Sequence, residues 1–216
     1  MRKIPIWDAP TRFFHWLAAM LVAAAYATWR FDLMDWHLRA GYALLALVLF
    51  RVMWGFVGSE TARFARFVAT PRAALTHLRH VFRREPDRQL GHNPAGSLMV
   101  VLLVALLLGE TLTGLYDSND IADSGPLTPI VPAPIANLID ALHAVFWDIL
   151  VVAIALHVLA VAVYWAVKRQ NLVLPMITGR KTLPTSARAP TLVGPLRALV
   201  VFGVSVAVTA ALVNFL

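Results

Sequence analysis

The chain has 216 residues, of which 59% are apolar and 14% charged, and its mean hydropathy is +0.69. That is far more hydrocarbon than a soluble core takes up, so a soluble globular fold is excluded. Nineteen Lys and Arg against twelve Asp and Glu give a net charge of +7, an excess that reads as membrane orientation rather than nucleic-acid affinity, and the absence of cysteine excludes disulfides, thiolate-held clusters, haem attached through C-x-x-C-H and cysteine nucleophiles.

Five stretches approach the roughly 20 apolar residues needed to cross a hydrocarbon core about 30 Å thick. They lie near 13–29, 38–57, 97–116, 141–167 and 195–216. None shows strand-like alternation, and backbone amides in lipid must be satisfied internally, so each is predicted to be helical. A cleaved signal peptide is the rival reading of the first stretch, disfavoured because Arg12 directly precedes the apolar run and His15 lies within it. Between the second and third stretches, Thr70 and Pro71 form an N-cap and first-turn pair. Leu75, Leu78, Val81 and Phe82 follow at helical spacing beside arginines, which predicts a helix lying on the membrane surface.

Positive residues stay on the cytoplasmic side. Arg2, Lys3 and Arg12 precede the first stretch. Arg63, Arg66, Arg72, Arg79, Arg83, Arg84 and Arg88 lie between the second and third, and Lys168, Arg169, Arg180, Lys181, Arg188 and Arg197 between the fourth and fifth. Only Arg30 and Arg39 fall on the opposite side, where the connection 117–140 carries Asp117, Asp120, Asp123 and Asp140 and no base. The N-terminus is therefore expected inside and the C-terminus, after five spans, outside. The outer acids Asp117, Asp120 and Asp123 either steer a basic partner or belong to a solvated loop.

Ionisable side chains at membrane depth are functional suspects. His15 lies in the first stretch, His37 opens the second, and His143 and His157 both lie in the fourth. The latter two are 14 residues apart, which places them roughly 21 Å apart along a helix and within about 40° of one face. By depth, His157 matches His15 near the inner surface and His143 matches His37 near the outer one. Two opposed neutral imidazoles are the axial ligands that a b-type haem needs, and two such pairs make an electron carrier. Zinc would require four ligands close together. Gly41, Ala18, Ala19, Ala144 and Ala160 leave room beside them for a flat macrocycle, although small residues also mark ordinary helix contacts.

At this point the sequence resembles the bacterial cytochrome b561 superfamily, in particular the di-haem cytochrome b subunits of nickel-iron hydrogenases. The matching stretches are Trp7-Asp8-x-Pro10-Thr11-Arg12-x-x-His15-Trp16, His37-x-x-x-Gly41-Tyr42 and Phe50-Arg51-x-x-Trp54-Gly55. Gly91-His92-Asn93-Pro94, Leu112-Thr113-Gly114-Leu115, the His143 and His157 pair, and Pro175-Met176-Ile177-Thr178-Gly179-Arg180 complete the set. The resemblance implies an all-α integral membrane protein with a four-helix haem-binding bundle over residues 1–181. A linker and an additional C-terminal transmembrane helix over 182–216 lie beyond the usual core. It also implies two haem b groups, the inner held by His15 and His157 and the outer by His37 and His143. Such proteins pass electrons across the bacterial inner membrane between the quinone pool and a periplasmic redox partner, a hydrogenase-type enzyme or a soluble cytochrome c.

Other residues carry further expectations. Arg51, 14 residues after His37, is expected to pair with an inner-haem propionate or a quinone headgroup, or else to snorkel to the inner surface. His92 is read either as a proton-exchange group for quinone or as a solvated turn histidine. His77 and His80 are expected to be solvated on the surface helix. Glu110 stands where the resemblance leads one to expect an uncharged residue. Two rival functions remain at this stage: a superoxide:quinone oxidoreductase of the same class, and a haem-free membrane anchor or small transporter.

Overall fold

The computed structural model describes residues 1–83, 89–116 and 125–214. Arg84, Arg88, Asp117, Asp120 and Asp123 of the charge argument lie outside them. In chain order the elements are β1 (Arg2–Pro5), α1 (Ala9–Arg30), α2 (Met34–Val57), α3 (Phe64–Phe67), α4 (Pro71–Arg79), α5 (Pro94–Thr113), a 3-10 turn (Thr128–Ile130), α6 (Ala133–Ala166), α7 (Val173–Thr178), β2 (Arg180–Leu183) and α8 (Pro195–Asn214).

Among the described residues, four helices are long and apolar enough to cross a membrane: α2, α5, α6 and α8. Much of the apolar surface of α6 and α8 is uncovered by protein, with Leu156, Val158, Leu159, Leu199 and Val200 all exposed, as lipid-facing helices require. At 22 residues α1 is also long enough to cross, but His15, Trp16, Tyr26, Trp29 and Arg30 leave it less apolar than those four. Four helices, α1, α2, α5 and α6, begin earlier than hydropathy predicts, and two of these shifts matter most. α2 starts at Met34, so His37 lies one turn inside it rather than at its opening. α6 starts at Ala133 and runs for 34 residues, about 51 Å at 1.5 Å per residue, and so extends beyond the hydrocarbon. A hydropathy scan misses that first part because Asn137 and Asp140 dilute it while leaving the backbone free to stay helical.

The chain divides into two compact units, each assembled from three separate segments. The first comprises Met1–Phe13, Met53–Leu103 and Val152–Ala198. It holds the one departure from an all-α fold among the described residues, an antiparallel ribbon in which Arg2 pairs with Leu183 and Pro5 with Arg180. The ribbon buries Ile4, Ile6, Trp7 and Leu183, with Leu90 and Met176 packed against them, while Arg2, Lys3 and Arg180 are exposed and Lys181 donates to the Gln89 carbonyl at 2.9 Å. Gly179 caps α7 at φ 77°, and its carbonyl accepts hydrogen bonds from the amides of Ile6 and Trp7. A Cβ there would meet the Trp7 carbonyl oxygen at 2.7 Å, so the position needs glycine for both conformation and space. The buried Asp8 carboxylate accepts the Thr11 amide at 2.7 Å, capping α1, and the Trp54 indole N–H at 3.0 Å.

Elsewhere in this unit α4 forms as the sequence predicts, with the Thr70 hydroxyl accepting the Ala73 amide at 3.3 Å and Pro71 in its first turn. The Asn93 Oδ1 accepts the Gly96 amide at 2.7 Å and so starts α5. Ser97, fully buried, accepts the Ala69 amide at 3.1 Å and ties the segment before α4 to α5.

The second unit comprises Phe14–Val52, Val104–Val151 and Leu199–Leu216. Within it α1 and α2 are joined by a short turn in which Asp32 adopts φ 57°, a conformation that aspartate tolerates better than most residues. Leu45, Leu115 and Leu127 form its core, with Tyr42, Leu49, Leu108 and Leu212 packed around them. Phe202 of α8 meets Phe50 of α2 edge to face at 6.0 Å between ring centroids, and Tyr26 stacks on Trp147 at 5.3 Å. The added C-terminal helix is thus packed into this unit through an aromatic contact and a leucine contact.

Candidate functional site

His37 and His143 belong to the same unit. Each ring is oriented by a main-chain carbonyl. His37 Nδ1 lies 2.9 Å from the Ala25 carbonyl oxygen of α1, and His143 Nδ1 lies 3.0 Å from the Glu110 carbonyl oxygen of α5. A carbonyl can only accept, so in both rings Nδ1 carries a hydrogen, which makes Nε2 the nitrogen left to bind a metal when the ring is neutral. That tautomer is the one a metal-ligating imidazole needs, with its second nitrogen donating to a fixed acceptor. The Thr113 hydroxyl, 3.0 Å from His143 Nδ1, donates to the Gly109 and Glu110 carbonyls at 2.8 and 3.0 Å and leaves its oxygen to accept from the ring.

Glycines shape the space beside these rings. A Cβ on Gly41, one turn after His37, would meet nothing within 4 Å, so there is open room on the helix that carries His37. A Cβ on Gly114 would come within 3.1 Å of His143 Cε1 and press on the ring. Donor set, tautomers and room therefore fit a haem held by His37 and His143. Glu110 adds a feature of its own. Its carboxylate Oε1 lies 3.4 Å from His143 Nε2, the nitrogen that would face iron, so a haem there would take the place of this contact.

The remaining candidates are distributed as follows. His15 lies in α1 within the second unit, half-buried, its ring edge-on to Trp16 at 4.9 Å. His157 lies in α6 within the first unit and is also half-buried. Arg51 is 2% exposed and therefore does not snorkel to the surface; its guanidinium lies 6.0 Å from the ring of Phe14, the residue before His15. His92 is not a simple solvated turn residue, because its ring sits between those of Trp7 and Phe67 at 4.6 and 4.7 Å. His77 likewise is not merely solvated: its Nε2 pairs with the Tyr164 hydroxyl, which also accepts from Asn93 Nδ2 at 2.9 Å. Sequence reasoning found the ring-bearing positions but missed Tyr164 and Lys168, whose partners come from distant segments and leave no periodic trace. Lys168 is buried and donates to the carbonyls of His80 and Arg83 at 3.3 and 3.0 Å.

Several of the motif residues, with Ile6 and Thr61 beside them, fasten the first unit. Trp7 packs on His92, Arg12 donates to the Ile177 carbonyl, the Thr61 hydroxyl donates to the Ile6 carbonyl at 2.6 Å, and Gly179 receives Ile6 and Trp7. The motif at 7–12 is thus a contact partner of those at 91–94 and 175–180.

Comparison with known proteins bears on the family. The family model described as prokaryotic cytochrome b561 matches residues 6–179. A probable Ni/Fe-hydrogenase B-type cytochrome subunit of Azotobacter vinelandii is 27% identical over 209 residues, covering 81% of this chain and 86% of the relative. The protein of the same description from Azotobacter chroococcum mcd 1 is 28% identical with the same coverage. That from Rhizobium leguminosarum bv. viciae is 25% identical over 215 residues, covering 83% and 89%. No solved structure matches the chain. With most of its length matched by the family model and its histidines set in apolar helices, the chain belongs to the prokaryotic cytochrome b561 family, membrane proteins of electron transport that carry haem b.

Proposed function

We propose that this chain carries two b-type haems and transfers electrons across the bacterial inner membrane between the quinone pool and a periplasmic redox partner. The partner is a hydrogenase-type enzyme, the class that the names of its relatives indicate, or a soluble cytochrome c. His37 and His143 hold the outer haem and His15 and His157 the inner one. The N-terminus is cytoplasmic and α1 is a fifth span, which puts the C-terminus in the periplasm. Residues 1–181 are the haem-binding domain, and 182–216 add a linker and α8.

The observation that carries this reading is the pair of matched tautomers. Both His37 and His143 spend Nδ1 on a backbone carbonyl, which leaves Nε2 as the nitrogen for iron, met at His143 by the Glu110 carboxyl that haem would displace. Bound haem supplies one-electron exchange at iron. The protein's part is to hold the two rings against rotation, to keep water from them by packing, and to set the charge around them. Arg51, buried beside Phe14, places a fixed positive charge next to the segment that carries His15 and suits a propionate or a quinone headgroup.

A pyridine haemochrome assay on purified protein tests the proposal. Two haem b per chain are expected, falling to one in His37→Ala. Protein with one haem or none would refute the di-haem reading.

A further inference from the structure

We propose that the groove at the start of α4 binds the phosphate headgroup of an anionic phospholipid belonging to the leaflet against which α4 lies. The groove is lined by Arg72, Thr76, His77, His80 and Pro94. Pro94 is the first residue of α5, a membrane-length helix, so the groove lies where hydrocarbon gives way to headgroups.

The chemistry of the lining suits a phosphate. Arg72 offers a guanidinium, which matches phosphate oxygens in a planar fork. The Tyr164 hydroxyl accepts from the Asn93 amide and pairs with His77 Nε2, which fixes the His77 ring and leaves its Nδ1 edge unspent on that contact. Lys168 brings a buried ammonium to the carbonyls at the end of the α4 segment, 5.6 Å from the Tyr164 ring. Among the described residues lining the groove, none is acidic.

A phospholipid fits better than a free anion because α4 carries a second, apolar feature. Leu75 and Leu78, at helical spacing, are 53% and 51% exposed, and Phe82 beyond the helix is exposed as well. An interfacial helix buries such side chains among acyl chains while its basic residues meet anionic headgroups. One lipid molecule answers both features, with its phosphate at Arg72 and its chains against Leu75 and Leu78.

The haem-loaded full chain should be washed free of lipid and supplied with phosphatidylglycerol or phosphatidylcholine in detergent, with retained lipid counted by native mass spectrometry. Phosphatidylglycerol is expected to be retained in preference. Arg72→Gln should weaken its retention about tenfold, the loss expected for one charge-assisted contact, while Arg39→Gln, far from α4 in sequence, changes nothing. Equal retention of the two lipids, or an unaltered Arg72→Gln variant, would overturn the proposal. Should inorganic phosphate bind in an Arg72-dependent way without any preference for phosphatidylglycerol, the occupant is a soluble anion and the lipid assignment fails. If Arg72→Gln does not hold haem, the lipid preference of the unaltered protein and its loss in His80→Gln decide the matter.

Discussion

The ribbon and its surroundings in the first unit differ from the histidine-bearing helices of the second in what the side chains are asked to do. Around β1 and β2, segments more than 170 residues apart are joined largely through backbone groups, so what matters at Gly179, Asp8 and Thr61 is fit and hydrogen bonding. Around His37 and His143 the backbone serves the side chains, since two carbonyls orient two rings. Shared motifs therefore serve two ends, and recurrence alone does not distinguish a fastening residue from a ligand. Substitutions should separate the two regions: those near the ribbon lower stability and leave haem content intact, and those near the rings alter haem and leave the ribbon intact.

The largest effect is expected at the ligands. His143→Ala should remove one of two haems, read as a halved haemochrome signal; an unchanged signal would assign the outer site to other residues. Next comes Gly179→Val. It forces a branched side chain to φ 77°, which costs about 1–2 kcal/mol before the 2.7 Å contact with the Trp7 carbonyl is counted. Thermal unfolding should shift downward while the haem-to-protein ratio of folded protein stays at two. Loss of a haem in that variant would break the distinction between the regions. Asp8→Ala removes a cap and the acceptor of the Trp54 indole, at about 1–2 kcal/mol, with the same readout.

Smaller changes sharpen the comparison. Gly114→Ala places a methyl 3.1 Å from His143 Cε1 and should turn the ring without removing it, moving the outer haem's resonance spectrum at full haem content. The smallest effect belongs to Glu60. The Thr191 amide, which its carboxylate accepts at 2.9 Å, holds its pKa below the ordinary glutamate value; partial desolvation opposes this, and Arg188, Arg66 and Arg63 reinforce it. A carboxyl depressed in the folded state contributes above its unfolded pKa and loses that contribution as pH falls through the folded one. Glu60→Gln should therefore speed hydrogen exchange at Thr191 at neutral pH, and acid below the usual glutamate range should do the same to the unaltered chain. Exchange at Thr191 that ignores both changes would show that the contact is not formed in solution.

Much of this was legible in the sequence because the relevant signals are local. Apolar runs located α2, α5, α6 and α8, and the Thr70-Pro71 pair located α4. The four histidines and Glu110 stood out by their depth, and Glu110 does lie against His143. The ribbon was not legible: its strands are four residues each, rich in Lys and Arg, and acquire meaning only when paired with one another. The start of α6 was lost because hydropathy measures affinity for lipid, whereas a helix can continue into water. The partnership of His77 with Tyr164 joins positions 87 apart, and no local pattern encodes it.

Electron paramagnetic resonance of the oxidised protein tests the central claim most directly. Axial ligation by His37 with His143 and by His15 with His157 predicts two low-spin ferric signals, of which one disappears in His143→Ala and the other in His157→Ala. A five-coordinate high-spin centre in the unaltered protein, or both low-spin signals persisting in either variant, would contradict it.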